Sequence, residues 1–122
     1  MNRKIEVVDI AAKFAKFSEY WRPRITGEVN DNYVKLAKFK GEFVWHKHEQ
    51  EDELFWVIQG TLVIKLRDGE LVLGPGQFAV IPKGVEHLPV AKEDVHAVLL
   101  EPKTTVNTGD VKNERTVDAE WI

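Results

Sequence analysis

Short apolar segments, each closed by turn residues, restrict the fold of this chain more than any other feature of its sequence. The dipeptide Asp68-Gly69 between two such segments, 61–67 and 70–73, is a strong signal for a β-hairpin. Further strands are predicted at 33–39, 41–48, 53–58, 77–81, 87–90 and 96–101. Strands this short and this closely spaced predict an all-β sandwich or barrel.

A helical pattern precedes the strands. Asp9 is a suitable N-cap, and Pro23 ends the pattern. Between them the apolar residues recur at helical spacing, at Ile10, Phe14, Phe17 and Trp21. We therefore expect a short amphipathic helix over residues 9–20.

Length and charge exclude several classes of protein. A chain of 122 residues is expected to form a single domain. Its net charge of −3, with both signs mixed, gives no reason to expect nucleic acid or an anionic membrane as a partner. Lys13 and Lys16 interrupt the apolar residues near the N-terminus, so no signal peptide is predicted, and no apolar run is long enough to span a bilayer. A cytoplasmic protein is the expectation.

The histidines carry most of the functional information. His46 and His48 alternate along a predicted strand, so their rings can point to the same side while Lys47 points away. Glu53 follows across a polar turn, and His87 lies well downstream. Three imidazoles and one carboxylate suit a divalent transition metal, namely Mn, Fe, Ni or Zn.

Two other interpretations of these four residues were weighed. The histidines could fall at these spacings by chance, as surface or core residues. A structural zinc site is the second alternative, but such sites favour closed, cysteine-rich tetrahedra and this chain contains no cysteine. A set of histidines and a carboxylate instead leaves positions open for water or substrate.

Two sequence blocks surround these residues. The first reads Gly41-(x4)-His46-x-His48-(x4)-Glu53-(x6)-Gly60, and the second reads Gly76-(x5)-Pro82-x-Gly84-(x2)-His87. Together they resemble the two motifs of the cupin superfamily, and in particular those of small single-domain bacterial cupins. The first block has four residues between Gly41 and His46 where the usual pattern has five, and Ala91 stands where the second block usually ends in Asn.

The resemblance implies a fold and a site. It implies a jelly-roll barrel, also called a double-stranded β-helix, with one divalent metal held inside by His46, His48, Glu53 and His87. Within a single domain we expect an N-terminal helix and arm at 1–31, the barrel at 32–103, and a C-terminal tail at 104–122 docked on the barrel. Trp121 and Ile122 are the expected anchor of the tail.

A substrate pocket and a partner surface are also predicted. The pocket residues would be Phe43, Trp45, Phe55 and His96, although His96 is more often a satisfied or pocket-lining histidine than a ligand. In the strand 53–58, Leu54, Trp56 and Ile58 face away from the site and are all apolar. Either the N-terminal helix or a second sheet covers them, or, as in similar small cupins, a homodimer does. The near-alternating Lys35, Lys38 and Lys40 are interpreted as the solvated side of a strand.

Competing functions remain open at this point. Cupins include isomerases, dioxygenases, decarboxylases and epimerases, so a metal-dependent enzyme acting on a small oxygen-bearing molecule is one hypothesis. A small-molecule-binding or sensor protein without turnover is the other. A ligand-gated transcription factor would need a DNA-binding domain, for which these residues leave no room.

Overall fold

The computed structural model describes residues 5–122, and within this range the chain is built almost entirely of strands. The elements in chain order are α1 (Ile10–Phe14), β1 (Arg24–Val29), β2 (Asn32–Glu42), β3 (Glu53–Gln59), β4 (Leu62–Leu66), β5 (Gly69–Leu73), β6 (Phe78–Ile81), β7 (His87–Pro102) and β8 (Glu120–Trp121). The prediction of an all-β fold with a short N-terminal helix is confirmed.

The long strand β7 connects the two halves of the sheet. Its first residues pair with β4, from Val63↔Val90 to Leu66↔His87. Its later residues pair with β3 on one side and with β2 on the other. All of these pairings are antiparallel, whereas the short β8 runs parallel to β1. The strand order β5-β4-β7-β2-β1-β8, with β6 beyond β3, encloses an interior on the inner face of β7.

Both faces of the β2–β7 sheet are covered. On the inner face, Ala37, Phe39, Ala97 and Leu99 belong to the main core. On the outer face, Leu36 and Val98 form a second cluster with Phe14 and Phe17 from the N-terminal segment. Ile58 packs against this second cluster, so one of the outward-facing residues of β3 is covered within the same chain.

The N-terminal helix is shorter than predicted. Asp9 is the N-cap, and its carboxylate accepts a hydrogen bond from the Ala12 amide at 3.2 Å. The helix ends at Phe14, so the predicted range 9–20 was too long. Beyond it Trp21 has a positive φ of 64°, and its backbone N–H donates to the Lys38 carbonyl of β2 at 2.8 Å. Pairing with β2 thus replaces further helical hydrogen bonds in this segment.

Three predicted strands also need correction. The range 41–48 is not one strand, because Gly41 and Glu42 end β2 and the following residues are irregular except for a bridge between His46 and His87. The ranges 87–90 and 96–101 belong to a single strand, since the residues between them continue the pairing with β2 across a register shift near Gly41.

Candidate metal centre

Four side chains converge in the interior. His46, His48, Glu53 and His87 are all buried, and each offers a ligand atom within 4.8 Å of the others. Glu53 Oε1 lies 3.2 Å from His48 Nε2 and 3.4 Å from His87 Nε2. The structure therefore brings together all four residues that the sequence predicted as ligands.

The backbone around the site fixes these positions. His46 and His87 face each other across the bridge, where each amide donates to the other's carbonyl at 3.1 and 2.9 Å. The His48 carbonyl accepts a hydrogen bond from the Gly84 amide at 2.8 Å. Glu53 is the first residue of β3 and pairs with Ile81 of β6. The segment carrying His46 and His48 is therefore held against the turn that precedes His87.

Two of the imidazoles are oriented by backbone carbonyls. His46 Nδ1 lies 2.9 Å from the Val44 carbonyl oxygen, and His87 Nδ1 lies 2.9 Å from that of Val85. A carbonyl can only accept, so each Nδ1 must carry the proton and donate it. Each Nε2 is then left with a lone pair, which is the arrangement typical of metal-binding histidines.

The remaining polar atoms of the site lack protein partners. Among residues 5–122, neither nitrogen of His48, nor His87 Nε2, nor Glu53 Oε1 makes a hydrogen bond, although all are buried. Metal–ligand bonds of about 2.1 Å place neighbouring ligand atoms about 3.0–3.4 Å apart, which matches the distances from Glu53 Oε1 to the two imidazoles. The donor set therefore fits a divalent transition metal.

Electrostatics at the site favour the ligand forms of His46 and Glu53, but not that of His48. Burial, together with the neighbouring His87, lowers the pKa of His46 to about 4, so this imidazole is neutral at neutral pH. Burial also acts to lower the pKa of His48, but the adjacent Glu53 outweighs it and the pKa is raised. Burial opposes ionisation of Glu53, yet its contacts with Glu101, His48 and His87 hold its pKa well below the usual range.

A second carboxyl group lies behind Glu53. Glu101 is 1% exposed, and burial together with the charge of Glu53 raises its pKa well above the usual value. Its Oε1 accepts a hydrogen bond from Lys35 Nζ at 2.9 Å, whereas its Oε2 has no partner among the described residues. A buried Lys–Glu pair thus supports the carboxylate ligand from within the protein.

Neither Lys35 nor Glu101 was singled out as a site residue from the sequence. Lys35 is buried, so its interpretation as part of a solvated lysine row was wrong. A signal was present, because both residues continue inward-facing alternations: Lys35 with Ala37 and Phe39, and Glu101 with Ala97 and Leu99. Opposite charges on the buried face of two paired strands indicate an internal ion pair.

A small cavity adjoins two of the four ligands, His46 and Glu53. Its polar lining comes from His46, Glu53, Glu101 and Asn107, and its apolar walls include Trp21, Phe39, Phe43, Phe55 and Leu99. The space open to a water-sized molecule is about 30 Å³. Since a water needs at least about 10–15 Å³ measured in this way, the cavity holds only a few atoms beside the ligands.

The predicted pocket residues occupy different places. Phe43 and Phe55 line the metal cavity. Trp45 does not, and the Arg67 guanidinium lies 3.8 Å from the centre of its ring. His96 lies on the outer side of the sheet, where its ring stacks on Phe14 at 4.6 Å. The structure therefore does not bring Trp45 and His96 to the metal cavity.

The C-terminal segment lies directly beside the metal centre. The Asp110 amide donates to the Lys47 carbonyl, and the Lys47 amide donates to the Asp110 carboxylate, both at 3.0 Å. Gly109 lies so close that a Cβ added there would be 2.2 Å from the Lys47 oxygen and 3.1 Å from His46 Cδ2. Its φ of 59° also favours glycine. This segment therefore packs directly on the chain that carries two ligands.

Known proteins share both the sequence pattern and this fold. The sequence model of the Cupin domain family matches residues 32–103. "Uncharacterized protein YdbB" of Bacillus subtilis is 42% identical over 80 residues, which are 65% of this chain and 65% of that protein. "Putative dioxygenase SSO1533" of Saccharolobus solfataricus is 26% identical over 106 residues, covering 84% of this chain but 28% of that protein. The match thus spans less than two thirds of the length of either relative.

A solved structure agrees with the same assignment. The crystal structure of a cupin-2 domain containing protein from Shewanella frigidimarina has a TM-score of 0.78 and 48% identity, and the match covers 79% of this chain and 94% of that one. The predicted jelly-roll architecture is therefore confirmed. No helix among residues 5–122 is long and apolar enough to cross a membrane. The cytoplasmic location stays a prediction.

Proposed function

The chain belongs to the cupin family, and from this premise we propose that it is a metal-dependent enzyme acting on a small oxygen-bearing organic molecule. The observation that carries the proposal is the set of buried, unpartnered ligand atoms on His48, Glu53 and His87. Leaving several such atoms without partners would cost about 1–3 kcal/mol each, and a bound cation removes that cost. We propose manganese, iron, nickel or zinc as the ion.

Different residues of the chain would hold the ion, orient the ligand rings and line the cavity. His46, His48, Glu53 and His87 would hold the ion, and a bound divalent metal supplies a Lewis acid with positions open to an oxygen donor. The Nδ1 hydrogen bonds of His46 and His87 keep both rings aimed at the ion. The aromatic walls of the cavity exclude water, and the unpartnered oxygen of Glu101 lies in the same lining as Glu53.

The reaction type is proposed more broadly. Isomerase-like and dioxygenase-like chemistry both suit a histidine and carboxylate centre of this kind. The similarity to a relative named as a dioxygenase supports the second. Because one fold hosts many reactions, the choice between them depends on the metal. Iron would favour chemistry with dioxygen, whereas manganese, nickel or zinc would favour isomerisation or decarboxylation.

The test is a turnover screen of the protein loaded with each metal in turn. We expect a substrate among small hydroxy acids, keto acids, sugars or ketones, with activity that is lost on chelation and restored by one metal. Glu53→Gln should lower the metal affinity about 10–100-fold or more, whereas Glu70→Gln, which alters an exposed side chain of β5 outside the ligand set, is the matched control. Turnover that survives chelation and Glu53→Gln would contradict the proposal.

A binding or sensor function is the second candidate. It is favoured by the small size of the metal cavity, about 30 Å³, which leaves little room for a substrate beside the ligands. A protein of this kind would bind a small molecule at the metal and release it unchanged. Saturable binding in the same screen, with no product detected for any metal, would decide for this function.

We also propose that the protein forms a homodimer through the outer face of β3, β6 and β7. Trp56 is 43% exposed, and its cross-strand neighbour Phe78 is 61% exposed. Val80 and Leu100 extend this exposed apolar face on either side of Leu54. A second copy is the proposed occupant, because the face is continuous with β6, which among residues 5–122 pairs only with β3 and leaves its other edge free. Sedimentation at micromolar concentration should give the mass of two chains.

A further inference from the structure

A second cavity lies under the C-terminal segment, apart from the metal cavity. Its volume is about 340 Å³, which falls within the range of about 300–1,000 Å³ typical of small-molecule sites. It is bounded by β1 and β2 on one side and by residues 103–107 and 117–121 on the other. Pro23 and Asn107 line both cavities, but the four metal ligands do not line this one.

The cavity contains a buried cation with unused donors. Lys35 is 3% exposed, and among residues 5–122 its only hydrogen bond is the one to Glu101. An ammonium group has three N–H donors, so two remain for a ligand. Lys103 adds a second ammonium group, which is paired with Glu28, and Asp118 is the one acidic residue in the lining and is exposed.

A hydroxyl group in the same lining also lacks a partner. Thr105 is 8% exposed, and its Oγ1 makes no hydrogen bond within the described part of the chain. An unsatisfied buried hydroxyl costs about 1–3 kcal/mol of folding free energy. The packing of the protein does not account for this hydroxyl, whereas an acceptor in the cavity would.

The remaining wall is aromatic. The rings of Tyr33 and Trp121 meet edge to face with 5.7 Å between their centres. Lys35 Nζ lies 5.9 Å and Lys103 Nζ 5.4 Å from the centre of the Tyr33 ring, so cationic and aromatic groups share one surface. Such a surface suits a flat body that carries a negative group.

We propose that this cavity binds a small organic acid with a planar body, whose carboxylate is held by Lys35 and Thr105. Tyr33 and Trp121 contact the planar body. The metal takes no part in this binding, so the site stands or falls separately from the function proposed for the metal centre.

The test uses the full chain loaded with zinc, and benzoate as the probe. Benzamide is the neutral match of benzoate, and inorganic phosphate is an anion without a planar body. The indole N–H resonance of Trp121, assigned with Trp121→Phe, reports binding by NMR. We expect saturable shifts of this resonance and of the Thr105 amide with benzoate, at least tenfold weaker binding of benzamide, and no such shifts with phosphate.

Two variants locate the contacts. Thr105→Val should weaken benzoate binding at least fivefold while leaving the melting temperature equal or higher, a combination that a structural role would not produce. Lys35→Met/Glu101→Leu, which removes both members of the buried pair, should weaken it at least tenfold. Lys40→Met, an exposed lysine on the same strand, is the control and should change nothing. If the double variant does not fold, Thr105→Val alone decides.

Several results would overturn the proposal. Equal binding of benzamide would show that the carboxylate is not recognised, and binding of phosphate without benzoate would exclude the organic acid. Unchanged benzoate binding by Thr105→Val would remove the assigned contact. Shifts confined to His46 and its neighbours, and lost when zinc is removed, would place benzoate at the metal instead.

Discussion

The inner face of the sheet around β7 buries titratable side chains, whereas the outer face exposes large apolar ones. The inner face buries the four ligand side chains and the Lys35–Glu101 pair. The outer face of β3 and β6 leaves Trp56 and Phe78 in contact with solvent. Burying titratable groups and exposing large apolar groups both cost free energy. We therefore infer that each face binds a partner.

The two faces differ in what that partner must be. Buried nitrogen and oxygen atoms without hydrogen bonds call for a cation or a polar ligand, because leaving them unpaired costs folding free energy. Exposed aromatic and aliphatic side chains in one continuous patch call for another apolar surface. The inner face is therefore suited to binding an ion or a polar ligand, and the outer face is suited to association with another protein surface.

The largest expected effect tests the buried pair of the inner face. Glu101→Leu leaves the Lys35 ammonium buried without its partner, and we expect it to lower the free energy of unfolding by about 3–5 kcal/mol. The double variant Lys35→Met/Glu101→Leu should recover most of this loss, since no unpaired charge remains. Urea unfolding of the metal-free protein measures both. A single variant as stable as wild type would show that the pair is not coupled to folding.

The pH dependence of the metal-free protein is the next largest effect. The pKa of His46 falls from 6.5 to about 4 on folding, so its contribution of about 3 kcal/mol is present above pH 6.5 and lost as pH falls towards 4. The pKa of His48 is raised, so its contribution is present below pH 6.5 and lost as pH rises through the raised value. From these two histidines we expect maximum stability near pH 6.5.

Above pH 6.5, metal loading should reverse the direction in which the stability of the protein changes with pH. Metal binding needs neutral imidazoles, so above pH 6.5 the stability added by the ion should increase with pH while the metal-free protein loses stability. Melting temperatures at matched pH, with and without zinc, measure the difference. Parallel profiles for the two forms would contradict the assignment of His48 as a ligand.

Substitutions on the outer face should change the dimer affinity but not the metal content of the protein. Phe78→Ser removes the most exposed aromatic side chain of the patch, and we expect dimer affinity to fall at least tenfold, or about 1.5–3 kcal/mol. Val72→Ser is the matched control, because Val72 is 59% exposed but lies on β5, which within the described part of the chain pairs only with β4. Sedimentation equilibrium measures both. An unchanged mass for Phe78→Ser, or a monomeric wild type, would exclude this interface.

The smallest expected effect concerns the part of the outer face that the chain covers by itself. Asp9→Ala removes the N-cap of the helix that packs over Leu36 and Val98, and should cost about 1 kcal/mol of unfolding free energy. Thermal unfolding detects this as a lower melting temperature. Metal stoichiometry should not change, because the helix does not contact the ligands.

The sequence was sufficient to predict the positions of residues that follow strand alternation or belong to a motif. The inward positions of Glu53, Phe55 and Val57 follow from the period of a strand, and all three are buried. The four ligands were found because the two motif blocks fix their spacing. The hairpin itself followed from local turn chemistry at Asp68-Gly69, but the turn lies one residue earlier than predicted, at Arg67 and Asp68, because Gly69 begins β5 and pairs with Leu66.

Long-range contacts explain what the sequence missed. The helix ends at Phe14, and the chain beyond it contacts β2 instead, where Lys38 Nζ donates to the Phe17 carbonyl and the Trp21 amide donates to the Lys38 carbonyl; no local pattern encodes these partners. The strands predicted at 87–90 and 96–101 are one strand, because Ala91 and Val95 both pair with β2, on either side of a register shift that leaves 92–94 without partners on β2. Lys35 was interpreted as solvated because its partner, Glu101, lies 66 positions away in the sequence. Spacing likewise could not show that Trp45 and His96 lie away from the metal cavity.

The most direct test of the metal centre is the metal content of the purified protein after incubation with manganese, iron, nickel and zinc in turn, measured by elemental analysis. We predict one tightly held ion per chain for at least one metal, and none for His48→Ala or His87→Ala, both of which should remain folded because the main apolar core does not include the ligand side chains themselves. A wild-type protein that stays metal-free with all four metals would contradict the account.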